Sequence, residues 1–345
     1  MPGASGSRSI TIQDVAVAAG VSLATVSRAL ADSPRVKPET RRRIQALAKE
    51  MGYTPSAIAR GLATKRTWTL GVAVRDIADA YIAELVRCID RQALQRGYTL
   101  LLSHSGDDPK REPAAINILR QQRVDGIIVA DPSVDDALLT AVGEDGTPAI
   151  VIDRPQSPYS VGTDNLAAAQ MAVEHLLDLG HTRIAYIGDT RNWQESEERW
   201  AGYERGLAQR GLSPSPPLTS GRGGGWTAMG RACGEYLLQL PEPPTAVFCY
   251  NDLTAIGAIG ALYAAGLRVP EDMSVVGYDD ISLARHFEPP LTTIAQDKER
   301  LAELAVEMLL ELINGQEPAR KRLLLPGQLV VRASTGPPPR STGMP

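Results

Sequence analysis

T-I-Q-D-V-A-V-A-A-G-V-S-L-A-T-V-S-R-A-L occupies residues 11–30. Thr11 is a helix N-cap type, and Ile12, Val15, Ala16 and Ala19 follow at the spacing that builds one apolar helical face. Gly20 stops that helix by supplying the left-handed residue a helix end often needs. Two residues later Ser22 caps a second helix, whose buried stripe is Val26, Ala29 and Leu30. Two short helices joined by one glycine turn make a helix-turn-helix. Downstream, Pro38 and Glu39 open a third helix with Ile44, Leu47, Ala48 and Met51 inward, and Gly52 ends it. The expected product is a compact three-helix unit.

Charge separates this head from the rest of the chain. Residues 1–68 hold 11 Lys or Arg against 4 Asp or Glu, although the whole chain has a net charge of -4. A basic head on an acidic body points to a polyanion as partner of the head alone. In a helix-turn-helix the second helix enters the major groove by its N-terminal end. Leu23, Ala24 and Arg28 are therefore expected at base edges, and Ser22, Thr25 and Ser27 at phosphates, with Thr11 joining the DNA-facing set. Arg28 can give two parallel hydrogen bonds to a guanine, whereas Leu23 and Ala24 offer only apolar contact. After the Tyr53-Thr54-Pro55 break, Ser56 caps a short helix over residues 57–63. It is too short to persist alone and is weakened by Gly61.

From Thr69 onward, apolar strands alternate with amphipathic helices. Strands are expected near residues 69–74, 99–103, 126–130, 149–153, 183–187, 246–250 and 274–277, and helices at 82–96, 166–179 and 254–265. The number of units, roughly six strands in each of two clusters, implies two doubly wound α/β subdomains with parallel sheets. Ligands of such folds bind beyond the carboxyl ends of strands, where Asp76, Asp153, Asn251 and Asp279 fall.

Length and composition exclude several classes. At 345 residues and 43% hydrophobic content the chain can bury more than one core. No apolar run approaches membrane-spanning length, and residues 1–9 lack the apolar centre of a secretory signal, so a cytoplasmic location is expected. Cys88, Cys233 and Cys249 fit reduced, buried thiols. His104 with Asp107 and Asp108 reads as a solvated loop, and the glycines of residues 221–225 as a flexible connection. No phosphate loop, zinc-protease helix, nucleophile elbow or paired Cys motif occurs, so no enzyme, cofactor or metal is expected.

The head segment together with G-Y-T-P-S-A-I-A-R-G-L-A at residues 52–63 resembles the lactose-repressor and purine-repressor family of transcriptional regulators. The resemblance continues through V-R-D-I-A-D-A-Y-I-A-E-L, V-I-D-R, E-R-W-A-G-Y, F-C-Y-N-D, S-V-V-G-Y-D-D and P-P-L-T-T-I-A-Q-D. It implies a helix-turn-helix head at residues 10–55, a hinge helix and linker at 56–66, and a sensor at 67–340 similar to periplasmic sugar-binding proteins. The sensor divides into an N-subdomain at 67–162 and 294–323 and a C-subdomain at 163–293 and 324–340. In that family the hinge helix lies in the minor groove with a leucine wedged into the central step; Leu62 matches it and Ala59 the small residue beside it. Carried over as effector contacts are Tyr81, Asp153, Arg199, Trp226, Asn251, Asp279 and Gln296.

The resemblance implies a homodimer on a palindromic operator, released by a small-molecule effector, expected to be a sugar. Many sugar-responsive relatives carry Asn-Pro-Phe-Phe where this chain has Asp79-Ala80-Tyr81-Ile82. That departure resembles the purine-repressor pattern and leaves a purine or other corepressor as the alternative. A solute-binding protein and a sugar-modifying enzyme are more distant readings, the first opposed by the basic head and the second by the missing catalytic pair. Arg28→Ala is expected to cost roughly 1–3 kcal/mol on the operator and to relax one base position, as for a bidentate guanine contact. Unchanged discrimination in a binding-site selection assay removes that role.

Overall fold

Thr11 opens helix α1 (Ile12–Ala19) through a reciprocal capping box: its hydroxyl accepts the Asp14 N–H, and the Asp14 carboxylate accepts the Thr11 N–H at 2.8 Å. Gly20 closes α1 in the left-handed region at φ 65°, a conformation that costs a residue with a Cβ. Helix α2 (Leu23–Leu30) starts three residues on, with the Ser22 Oγ accepting the Thr25 N–H at 3.2 Å. Helix α3 (Pro38–Glu50) packs across both. Val15, Ala16, Ala19, Val26, Ala29, Ile44 and Ala48 form the miniature core, joined by Val36 from the α2–α3 connection. Two α3 side chains hold the ends of the other helices: Arg43 donates to the Ala19 carbonyl and Gln45 to the Ala29 carbonyl.

The computed structural model describes residues 10–30, 32–53, 66–106, 108, 110–130, 132, 146–188, 194–220 and 225–339. It divides the chain into two compact units, 1–68 and 69–345. The expected short helix at 57–63 and the glycines at 221–224 lie outside the described residues.

The second unit holds two sheets. The first is all parallel, in the order β10-β5-β4-β3-β1-β2, from β1 (Thr69–Val74), β2 (Thr99–His104), β3 (Gly126–Ala130), β4 (Ala149–Ile152), β5 (Ser160–Thr163) and β10 (Arg322–Leu325). The second runs β11-β9-β8-β7-β6, from β6 (Ile184–Ile187), β7 (Ala246–Cys249), β8 (Ser274–Asp279), β9 (Thr292–Ala295) and β11 (Gln328–Val330). Every residue of β3, β6, β7 and β8 is buried, as helices on both faces require. The flanking helices are α4 (Ala80–Gln95), α5 (Glu112–Gln121), α6 (Asn165–Asp178), α7 (Gln194–Ala208), α8 (Gly225–Leu237), α9 (Asp252–Ala264) and α10 (Lys298–Ile313).

The two lobes repeat one wiring. In the first, the order β2-β1-β3-β4-β5 reverses direction between β1 and β3; in the second, an isolated parallel bridge from Leu218 to Ile187 stands where β2 would, followed by β6-β7-β8-β9. Such reversals open a crevice at the strands' carboxyl ends. The chain crosses between lobes after β5, after β9 and after β10.

Two expectations need correction. The second sheet has five described strands rather than about six, and it is not all parallel, because β11 returns antiparallel to β9. β11 has only the short Pro326-Gly327 link after β10 in which to change lobes, too little for the crossover helix a parallel partner needs. β9 keeps the second sheet to Ala295, and β10 keeps the first to Leu325.

Helices α8 and α9 approach through glycine. A Cβ on Gly257 would lie 2.0 Å from the Thr227 carbonyl oxygen, and one on Gly230 2.0 Å from that of Thr254. Both contacts are with backbone and cannot be relieved by a rotamer change. Gly257→Ala is expected to destabilise the fold by about 1–3 kcal/mol through overpacking, read from the urea midpoint. An unchanged midpoint would show that the helices separate without cost.

Candidate effector cleft and DNA-reading helix

The helix-turn-helix presents its expected side chains outward. Leu23, Ala24, Ser27 and Arg28 are exposed on α2, while Val26 and Ala29 between them are buried. Ser22 and Thr25 hold each other, oxygen to oxygen, at 2.9 Å, and the Thr11 hydroxyl donates to Asp14 at 2.7 Å. These three hydroxyls build the helix starts, and phosphate contact would have to be added to that duty. Ala59 and Leu62 lie outside the described residues.

In the second unit, residues from both lobes converge on one buried polar cluster. Tyr81, at the start of α4, donates its hydroxyl to Asp153 Oδ2 at 3.0 Å and reaches Gln296 Oε1 at 3.4 Å. Burial first, and then the Asp153 carboxylate, push the Tyr81 hydroxyl well above its ordinary pKa, so it serves as a donor. Asp153 follows β4 with φ 63°, and its Oδ1 takes the Thr163 N–H at 3.2 Å. Gln296 joins the lobes: its carbonyl accepts Thr163 Oγ1 at 2.6 Å and its amide donates to Asp279 Oδ1 at 2.8 Å.

On the second lobe Arg199, from α7, donates to Asn165 Oδ1 at 2.9 Å and to the Tyr250 carbonyl at 2.7 Å, with Asp279 3.8 Å away. Its guanidinium lies 3.7 Å from the Tyr278 ring centre and 4.5 Å from that of Tyr250. Burial raises the Asp279 carboxyl well above its ordinary range, against the pull of Arg199. Asn251 caps α9, its Oδ1 accepting the Thr254 N–H at 2.9 Å and hydroxyl at 2.7 Å. That commits the oxygen to the helix and leaves the amide nitrogen for the cavity. The Trp226 indole stacks on Tyr250 with ring centres 4.8 Å apart.

Arg75, Asp79, Tyr81, Asp153, Arg199, Tyr250, Asn251 and Asp279 line a cavity of about 20 Å³, room for about one water molecule. Gln296 and Trp226 support this wall. Behind it, Lys298 donates to the carbonyls of Asp279 at 2.7 Å and Asp280 at 3.0 Å and pairs with Glu84 of α4 at 3.3 Å. Glu84 also accepts the Ser282 N–H at 2.7 Å. Burial would raise the Glu84 carboxyl, but the Ser282 and Lys298 bonds outweigh it and hold the carboxyl below its ordinary range. A strand-end aspartate in one lobe is thus tied to a helix of the other.

Of the strand-end residues expected from sequence, Asp76 does not join; its carboxylate accepts the Ala78 N–H and shapes a turn. Arg75, one residue earlier, faces the cavity instead. Thr163, Asn165 and Tyr250 join the cluster without having been expected there, and Asp79, known from sequence only as part of the Asp79-Ala80-Tyr81-Ile82 segment, lines the cavity itself. Asp79 could have been found as an N-cap, since its Oδ1 takes the Tyr81 and Ile82 N–H groups. Thr163 and Asn165 flank the first lobe crossing and carry no local signal.

Residues 11–56 match the family model for bacterial regulatory proteins of the lacI family, and residues 173–335 the periplasmic binding protein-like domain. The HTH-type transcriptional repressor PurR of Aliivibrio salmonicida is 33% identical over 328 residues, covering 94% of this chain and 98% of that repressor. A crystal structure of the lac repressor dimer bound to operator and the anti-inducer ONPF superposes with a TM-score of 0.86 at 34% identity, covering 95% of this chain and all of that one. The complex of the transcriptional regulator CelR with cellobiose gives a TM-score of 0.67 at 31% identity, covering 94% and 99%.

Asp252, next to Asn251, supplies a pH test of the cleft wall. It is fully buried, accepts Thr293 Oγ1 at 2.5 Å and the Ile281 N–H at 2.8 Å, and burial raises its carboxyl to about 7 although both bonds oppose the rise. The folded state keeps this proton to about pH 7, whereas an unfolded Asp releases it near ~3.9. Its contribution is therefore whole below about pH 4 and is lost as pH rises through the folded value. Urea unfolding between pH 5 and 8 is expected to show this decline in wild type and a flatter profile in Asp252→Asn. Equal slopes would overturn it.

Proposed function

The chain belongs to the lacI family of bacterial transcriptional regulators, and on that premise we propose that it represses a carbohydrate-utilisation operon and is released by a small sugar effector. The observation that carries this reading is the convergence of both lobes on a single buried set of carboxylate, amide, guanidinium and phenol groups at the strand ends. A sugar hydroxyl both donates and accepts, so it can pair with Asp153 or Asp279 on one side and with Asn251 or Arg199 on the other. The CelR–cellobiose complex lends support from a relative.

The cavity is too small for a sugar as the lobes stand, so entry requires them to part. In this reading the effector's affinity for a different lobe arrangement is what shifts the protein, and operator affinity changes through that shift rather than by contact. The protein acts as a homodimer through α4, one head to each half of a palindromic operator, with Leu62 and Ala59 at its centre. The head supplies direct readout through Leu23, Ala24 and Arg28. The second reading, a purine or other corepressor, is favoured by the Asp79-Ala80-Tyr81-Ile82 segment.

A thermal-shift screen of pentoses, hexoses, disaccharides and purines, followed by operator titration with and without the hit, separates the two. A sugar that stabilises the protein and weakens operator binding is expected; stabilisation by purines alone sinks the sugar reading. Arg199→Ala is expected to abolish the ligand-induced shift. A normal shift in that variant removes Arg199 from the site.

A further inference from the structure

A second hollow, of about 370 Å³, lies behind the cleft wall and has the size of a small-ligand site. Helix α4 of the first lobe contributes Arg87, the segment after β8 of the second contributes Arg285 and His286, and Gln296 and Lys298 close it at the crossing into α10. The hollow therefore spans both lobes.

The acids of its wall already hold donors. Glu84 pairs with Lys298 at 3.3 Å and accepts the Ser282 N–H, and Asp280 pairs with Arg332 at 2.5 Å. Glu299 pairs with Arg91, and Asp297 caps α10 by accepting the Arg300 N–H at 3.0 Å. The remaining cations differ. Arg87, Arg285 and His286 are exposed, and among the described residues their side chains make no hydrogen bond or ion pair. Arg87 acts on Glu299 and Cys88 only through space. Two guanidinium forks and an imidazole thus line one hollow with their donors left to solvent. A carboxylate would occupy one fork. A phosphoryl group carries roughly 1.5 to 2 negative charges at neutral pH on three oxygens, enough to engage groups from both lobes at once.

The hollow shares its wall with the cleft. The Gln296 amide donates to Asp279 and its carbonyl accepts Thr163 Oγ1, while Lys298 holds the carbonyls of Asp279 and Asp280. An anion that bridges Arg87 to Arg285 and His286 would hold the lobes as they stand, whereas entry to the cleft requires them to part.

We propose that this hollow is a second ligand site, for the phosphoryl group of a small metabolite, and that its occupancy opposes effector entry into the cleft. Binding at the hollow is independent of the effector reading; the opposition rests on it.

The test uses the full chain as wild type, Arg87→Gln, Arg285→Gln, Arg285→Lys, the cleft variant Arg199→Ala and the charge control Arg231→Gln, each checked for native circular dichroism. Glucose 6-phosphate, glycerol 3-phosphate, inorganic phosphate and glucose are titrated calorimetrically at one fixed ionic strength. A phosphate ester is expected to bind wild type, Arg231→Gln and Arg199→Ala alike. Loss of one charge-assisted contact should weaken it about 10-fold in Arg87→Gln and in Arg285→Gln, with partial recovery in Arg285→Lys. Tighter binding of an ester than of inorganic phosphate assigns the site to esters, and equal binding assigns it to free phosphate. If no phosphoryl compound binds wild type, if the Arg87 and Arg285 variants bind as wild type does, or if Arg199→Ala loses the binding, the site is overturned. The hollow borders the α4 face of the proposed dimer, so sedimentation is measured in parallel. Variants that dissociate the dimer, beside a wild type that binds no phosphoryl compound, hand these cations to the partner subunit and overturn the site. A sugar held in the cleft is expected to bind wild type about 5-fold or more weakly when the ester is saturating, and to be indifferent to it in Arg285→Gln. Unchanged sugar affinity overturns the opposition and leaves the site. A wild type that binds an ester but no sugar removes the effector reading, and the opposition with it, while the site stands.

Discussion

A buried guanidinium organises the sensor unit. Inside the second lobe the Arg199 guanidinium is held by acceptors from Asn165, the Tyr250 carbonyl and Asp279, and two tyrosine rings shield it. Each of those partners belongs to a different element. Asn165 follows the first lobe crossing, Tyr250 follows β7 and Asp279 ends β8. Satisfying one charge therefore fixes the relative placement of two strand ends and a crossover. From Asp279 the order passes through Gln296 to Thr163 and Tyr81, which brings the first lobe into the same network. Removing one partner would leave a buried charge exposed to its own desolvation cost, so the cluster is held as a set.

Much of this was legible in the residues. In the head, short-range rules go far: a capping threonine and serine, a glycine at the helix end and a periodic apolar face are all local, and of the residues they mark, Val15, Ala16, Ala19, Val26, Ala29, Ile44 and Ala48 are buried in the core while Ile12, Leu30, Leu47 and Met51 pack half-buried against it; Val36, from the connection, joins without such a signal. In the sensor, apolar runs bounded by polar residues marked the strands because a sheet covered on both faces needs no alternation. The strand-end rule then pointed at Asp153, Asn251 and Asp279.

The misses have physical causes. Arg75 and Asp76 are adjacent and both follow an apolar strand; which of them turns inward depends on one residue of register, and periodicity does not resolve that. Tyr250 and Trp226 meet by tertiary stacking between elements far apart in sequence. β11 pairs antiparallel because its connection is short, a constraint of chain length rather than of its own composition.

Asp79 and Asn251 each serve twice, as the cap of α4 and α9 and as walls of the cavity. An alteration at either position that suited a new ligand would also fray the first turn of a helix on which a lobe is built. The cleft is therefore not uniformly free to drift. Lineages that change the molecule they respond to should do so at cavity positions that cap no helix, and the two caps should persist across responders to unlike compounds as a shared frame into which chemical taste is fitted.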